Sequence, residues 1–250
     1  MVPAMTTLPP PPDPSPDWAW FLDVDGTLIE IASTPSAIHM PSDLPGVLRS
    51  LSDHHGGALA LVSGRAVENI ERLVYPFRFP AAGLHGMERM TAAGEVVRPE
   101  PLPGLDDIRA RFRSVEGDGV LVEDKGLSVA LHYRLAPERQ DDCRVVAEAA
   151  VEAHPDFRLL AGKMVFEIKP KGFDKGAAVR AFMAETPFTG RVPVFVGDDV
   201  TDEYGFEAVN ALGGVSILVG PDRGTAARFR LDDVAACGAW LRRAADRDHG

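Results

Sequence analysis

The sequence predicts an α/β fold, a parallel sheet flanked by helices and interrupted by an inserted α+β unit. Two observations predict it. Short apolar runs alternate with helical stretches toward both ends of the chain, and the middle switches to strand pairs separated by helices. Trp20 to Val24 reads as a first strand ending on acidic residues, Ala58 to Val62 as a second ending at Ser63-Gly64-Arg65, and Ala81 to Leu84 as a short third. Val192 to Val196 is a fourth, ending at Gly197-Asp198-Asp199, and Val215 to Val219 a fifth. Ala177 to Glu185 reads as an amphipathic helix with Ala178, Val179, Phe182 and Met183 on one face.

In the middle, Leu105 to Val115 is predicted helical, and Val120 to Glu123 with Leu127 to Tyr133 form a hairpin turning at Lys125-Gly126. Glu138 to Ala153 is a helix burying Cys143, Val146, Ala147 and Ala150, and Phe157 to Leu160 with Met164 to Ile168 form a second hairpin around Gly162-Lys163. This places an α+β insertion at about 101–170, between core segments 17–100 and 171–250.

The chain has 250 residues and is 45% hydrophobic, enough to bury a core. Its formal net charge of −11 argues against a nucleic-acid partner, and no apolar run approaches the ~18 residues of a membrane span. Seven prolines between Pro3 and Pro16 resist helix and sheet, so 1–16 is expected to be a disordered tail rather than an export signal. Cys143 and Cys237 stand apart without metal-ligand neighbours, which fits a reducing compartment, with the cytoplasm as the default.

The candidate chemistry sits just beyond strand ends, where open α/β sheets bind ligands. In Asp23-Val24-Asp25-Gly26-Thr27, strand alternation sends Asp23 and Asp25 to the same side and Gly26 allows a sharp turn. Such a pair suits one ionised nucleophile and one proton carrier, and the segment also reads as a solvated acidic turn. Ser63 beside Gly64 can bond a phosphate oxygen or cap a helix. Lys175 at a helix N-terminus opposes the macrodipole unless an anion is shared there. Asp198, Asp199 and Asp202 form an oxygen-rich loop suited to magnesium, or an acidic loop with no metal. All five lysines (Lys125, Lys163, Lys169, Lys171, Lys175) lie within 51 residues, whereas the 21 arginines are spread along the chain. That clustering offers local positive charge to an anionic substrate on an acidic protein.

Taken in order, these four segments and the insertion resemble the haloacid dehalogenase (HAD) superfamily of phosphohydrolases, which implies a HAD-like Rossmannoid core with a C2-type cap. Leu61–Arg65 (LVSGR), Gly83–Glu88 (GLHGME), Leu131–Arg134 (LHYR), Phe166–Gly176 (FEIKPKGFDKG) and Phe195–Asn210 (FVGDDVTDEYGFEAVN) resemble trehalose-6-phosphate phosphatases more closely, from about Phe21 to Leu241. Val24 replaces an aromatic residue often found between the aspartates, where only the backbone matters to the chemistry.

The resemblance implies Mg2+-dependent hydrolysis of trehalose 6-phosphate. Asp23 attacks phosphorus, and Asp25 protonates the leaving sugar oxygen and then activates water. Thr27, Ser63 and Lys175 orient or stabilise the phosphoryl group. Mg2+ is held by Asp23, the Asp25 carbonyl and Asp198, with Asp199 and Asp202 assisting. Glu123, Lys125 and Glu167 read the sugar. Gly64, Arg65, His132, Arg134 and Lys169 are further substrate candidates, and His85 and Glu88 either contact substrate or brace the cap hinge. A trehalose-phosphate synthase is a candidate partner. Three alternatives share these motifs: a phosphatase for sucrose phosphate or mannosyl-phosphoglycerate, a phosphomutase-like transferase, and a catalytically silent regulatory module.

Overall fold

The computed structural model describes residues 8–31, 40–162 and 164–246. In chain order its elements are β1 (Trp18–Leu22), α1 (Leu44–His54), β2 (Leu59–Val62), α2 (Val67–Val74), β3 (Ala81–Gly83), β4 (Glu88–Met90), β5 (Val96–Val97), α3 (Leu105–Arg113), β6 (Leu121–Asp124) and β7 (Val129–His132). There follow α4 (Gln140–Ala153), β8 (Phe157–Gly162), β9 (Val165–Pro170), α5 (Lys175–Met183), β10 (Val192–Gly197), α6 (Glu203–Ala211), β11 (Val215–Val219), β12 (Phe229–Leu231) and α7 (Val234–Ala245). They fall into two units, residues 1–98 with 173–250 and residues 99–172.

In the first unit the strand order is β12-β11-β10-β1-β2-β3-β4-β5, parallel from β12 to β3 and antiparallel across β4 and β5. Every residue of β1 is buried, because helices cover both faces of the sheet. Trp18, Trp20 and Leu22 alternate into a cluster with Leu48 and Leu51 of α1 and Trp240 and Leu241 of α7. Ala19 and Phe21 face Val179 and Phe182 of α5 and Phe206 and Val209 of α6. From β1 the chain builds outward through β2 and β3 on one side and through β10, β11 and β12 on the other. The carboxyl ends of β1 and β10 therefore flank the topological switch point, where such sheets leave a crevice.

Several boundaries differ from the sequence reading. β1 starts and ends two residues earlier than Trp20–Val24, because Val24 O accepts from Leu28 N (2.9 Å) and Ile29 N (3.0 Å) in a local turn. Alternation along the strand thus does not govern Asp25. α5 starts at Lys175 rather than Ala177, since Asp174 Oδ1 accepts from Ala177 N at 2.7 Å and caps the helix. The added strands β4, β5 and β12 have two or three residues each, too few to leave a pattern.

The proline-rich segment is not a free tail. Residues 1–7 lie outside the described residues, but 8–16 lies along the core without helix or strand. Prolines lack the donor a ladder needs, yet their carbonyls still accept. Pro9 O takes the N–H of Arg230 in edge strand β12 at 2.9 Å, and Pro16 O takes the Arg191 guanidinium at 3.1 Å. Ser15 O accepts from Trp18 N (3.1 Å) and lies 3.2 Å from His55 Nε2, while Leu8 packs against the α5–α6 cluster.

In the second unit the sheet order is β6-β7-β9-β8, antiparallel throughout. Val129, Leu131, Phe166 and Ile168 pack on Ile108 and Phe112 of α3 and on Cys143, Ala147 and Ala150 of α4. Ala130 is paired with both Glu123 and Glu167, which places the two carboxylates in one row on the other face. Lys163, at the expected β8–β9 turn, lies outside the described residues.

If residues 8–16 brace the core, a chain beginning at Asp17 unfolds at lower denaturant concentration, by about 1–3 kcal/mol for the bonds lost. A disordered tail predicts the same midpoint for both chains, so urea unfolding separates the two accounts.

Candidate active site

Asp23 leaves the end of β1 with its amide bonded to Val196 O of β10 at 2.9 Å, so the nucleophile candidate is anchored to the neighbouring strand. Its carboxylate is buried, and Oδ1 accepts from Lys175 Nζ at 2.7 Å. The same ammonium donates to Asp202 Oδ1 at 2.6 Å. Asp202 is fully buried, and its Oδ2 accepts from the amides of Asp198 and Asp199, both at 3.0 Å. Thr27 Oγ1 lies 3.3 Å from Asp23 Oδ2 and 3.4 Å from Asp198 Oδ1, within reach of either.

Asp23, Asp198 and Asp202 each bring a carboxylate oxygen within 4.8 Å of the others. Three carboxylates against the single ammonium of Lys175 leave two net negative charges in a largely buried space. At 4.8 Å each like-charged pair repels by about 3.5 kcal/mol at an effective dielectric constant near 20. Burial, and then the Asp202 and Asp198 charges, push Asp23 well above the usual carboxylate range against the opposing pull of Lys175. Burial and the charges of Asp202 and Asp199 push Asp198 up to about 6. Burial works against the Lys175 ammonium, but Asp202 and Asp23 together outweigh it and hold its pKa above the ordinary lysine value. A divalent cation would cancel the residual charge, and an all-oxygen donor set suits Mg2+.

Asp25 takes a different partner. Arg65 binds it through both carboxylate oxygens, with Nε 2.6 Å from Oδ2, and Asp25 does not join the buried carboxylate cluster. The expectation that Asp23 and Asp25 share one side rests on a strand that ends before either residue. Ser63 is buried at the end of β2, and its Oγ accepts from Arg65 N at 3.2 Å, leaving the hydroxyl proton to donate. His85 sits in a left-handed turn (φ 56°) with its amide on Ser63 O at 3.0 Å. A Cβ on Gly64 would come within 2.7 Å of the His85 ring, so Gly64 serves this packing. Glu88 is held at both carboxylate oxygens: Oε2 accepts from Val67 N at the start of α2 (2.9 Å) and Oε1 pairs with Arg98 Nε (2.9 Å).

In the second unit, Lys125 Nζ donates to Glu167 Oε2 at 3.0 Å, and Glu123 lies 2.8 Å from His132 Nε2. The bond to His132, with the nearby Lys125 charge beside it, outweighs burial and holds Glu123 below the usual carboxylate range. Lys169 is buried two positions along β9 from Glu167, and Arg134 is exposed beyond the end of β7. Sequence reasoning missed Ser128, which donates to Glu167 Oε1 at 2.8 Å, and missed Arg223 and Glu203, which hold the loop after β10 from behind. A serine near a turn and an arginine more than twenty residues from that loop carry no local signal. Glu203 directly follows the acidic run and was within reach of it.

A buried aspartate held by a lysine and an acidic loop, at the switch point of a parallel sheet carrying an α+β insertion, defines the class as a HAD-type phosphohydrolase. The C-terminal domain of Candida albicans trehalose-6-phosphate phosphatase has this fold, with a TM-score of 0.79 at 21% identity over 92% of each chain. A probable trehalose-phosphate phosphatase of Sinorhizobium fredii is 47% identical over 208 residues, covering 82% of this chain and 78% of that one. Trehalose-6-phosphate phosphatase of Escherichia coli is 43% identical over 235 residues, covering 92% of this chain and 87% of that one. The family model for trehalose-phosphatase matches residues 21–235, and the chain belongs to that family.

Gly26 tests how tightly the site is built. It has φ +83°, and a Cβ there would fall 2.1 Å from Asp198 Oδ2. Gly26→Ala displaces Asp198, so kcat/KM falls by about 100-fold or more while circular dichroism stays native. Activity near wild type would mean that Asp198 does not need its present position.

Proposed function

We propose that this enzyme hydrolyses trehalose 6-phosphate to trehalose and phosphate, and that the reaction runs through Asp23. The observation that carries the reading is the buried Asp23–Lys175–Asp202 bridge beside Asp198, in a member of the trehalose-phosphatase family. The Asp23 carboxylate bonds to phosphorus as the bond to the sugar oxygen breaks, and that oxygen takes a proton from Asp25. Water then attacks the aspartyl-phosphate, giving its proton to Asp25, and phosphate leaves. Lys175, the Ser63 hydroxyl and Thr27 meet the negative charge gathering on the phosphoryl oxygens.

Asp23, the Asp25 carbonyl and Asp198 would hold Mg2+, with Asp199 and Asp202 fixing the loop. The bound ion supplies positive charge that lets an anionic nucleophile and an anionic substrate share the site. Glu123, Lys125 and Glu167 engage the disaccharide hydroxyls, with His132, Arg134 and Lys169 around them. Arg65 orients Asp25, and His85 shapes the Ser63 loop. No helix among the described residues is long and apolar enough to cross a membrane. Cys143 and Cys237 are buried and unpaired, which supports a reducing, cytoplasmic setting.

The test compares trehalose 6-phosphate, sucrose 6-phosphate and p-nitrophenyl phosphate at saturating Mg2+. Wild type prefers trehalose 6-phosphate. Glu123→Gln and Lys125→Met each lower kcat/KM for it by about 10- to 150-fold, the worth of one charged hydrogen bond, and leave the aryl phosphate nearly unchanged. Equal losses on both substrates would remove the sugar-reading role, and a preference for another sugar phosphate would overturn the substrate.

A further inference from the structure

The loop after β10 is held along both edges of its backbone, and one of the two holders belongs to no motif. On the amide edge, Asp202 Oδ2 accepts from Asp198 N and Asp199 N. On the carbonyl edge, Arg223 reaches in from the segment between β11 and β12. Its Nη2 donates to Asp199 O at 3.0 Å and Asp198 O at 3.3 Å. Its Nη1 donates to Glu203 Oε1 and to Gly224 O, the latter at 3.3 Å. Glu203 is itself fixed, since Oε1 accepts from Thr225 Oγ1 at 2.8 Å and Oε2 from Ala226 N at 2.7 Å.

This arrangement separates charge from position. The guanidinium is balanced by Glu203, so it grips the peptide of Asp198 without neutralising the Asp198 carboxylate. The Asp198 carboxylate stays directed toward Thr27 and Asp23. Only a planar fork reaches a carboxylate on one side and two carbonyls on the other; a lysine ammonium on its flexible stem does not. With Asp202 on the amide edge and Arg223 on the carbonyl edge, the backbone that carries Asp198 has little room to rotate.

We propose that Arg223 is a positioning residue for the cation site: it preorganises the 198–199 backbone and so sets the affinity for the divalent ion. The proposal rests on the reading that Asp198 holds that ion. Groups of this kind behind metal ligands are typically worth 10- to 100-fold in affinity.

The experiment measures Mn2+ binding to the full chain by calorimetry and the Mg2+ dependence of phosphate release, for wild type, Arg223→Met, Arg223→Lys and Glu203→Gln. For Arg223→Met the expected result is an increase of about tenfold in both the Mn2+ Kd and the half-saturating Mg2+, with a smaller loss in kcat at saturating Mg2+. Arg223→Lys recovers only part of this. Glu203→Gln, which preserves side-chain shape, shifts both in the same direction and covers the case in which Arg223→Met fails to fold. Variants that lose kcat or thermal stability but bind Mn2+ within about twofold of wild type overturn the proposal alone. A wild type that binds no Mn2+ overturns the cation reading and the proposal together.

Discussion

The ammonium of Lys175, buried between Asp23 and Asp202, is the interaction on which the rest of the site depends. Burying an unpaired ammonium costs several kcal/mol, and placing it at the N-terminus of α5 adds a small dipole penalty. Two charge-assisted bonds, at 2.7 and 2.6 Å, offset both costs. In doing so they tie three distant pieces of chain together: the end of β1, the start of α5 and the loop after β10. Asp202 spends its second oxygen on the amides of Asp198 and Asp199, so the lysine also governs, at one remove, where the outer carboxylate points. The cluster remains short of positive charge, which is the physical basis for reading it as a cation and phosphate site.

The fold makes this economical. A parallel sheet covered on both faces has its backbone fully paired along β1 and β10, so their carboxyl ends are rigid platforms rather than loops. Close approach is then enforced by glycine. A Cβ at Gly26 would strike Asp198, one at Gly197 would come within 2.3 Å of the Asp202 carboxyl carbon, and one at Gly176 within 2.2 Å of Tyr204 O. The second unit follows a different logic. Its apolar face is spent on α3 and α4, which frees the other face of the sheet for the Glu123 and Glu167 row.

The parts of this molecule that are local in sequence were legible in it. The apolar runs of β1, β2, β10 and β11, the acidic turns after them and the helix beginning near Lys175 each leave a short pattern with a physical cause. What escaped is what depends on distant partners. Nothing near Asp25 says that Arg65 will grip it, and nothing near Arg223 says that it will reach the carbonyls of Asp198 and Asp199. The proline-rich segment misled for a related reason: composition reports missing donors, but residues 8–16 are held as acceptors by Arg230 and Arg191. Boundaries slipped by two residues at β1 and α5, where a turn at Val24 and the Asp174 cap overrode the apolar pattern.

The central claim is that Lys175 and Asp202 act as one unit in holding Asp23 and the loop after β10. A double-mutant cycle on kcat/KM for trehalose 6-phosphate, with Lys175→Met, Asp202→Asn and the double variant at saturating Mg2+, measures this coupling directly. The account predicts a large loss for each single change and a double variant within about tenfold of Lys175→Met, because the second change removes an interaction already gone. Losses that multiply across the cycle would show two independent residues and would contradict the account.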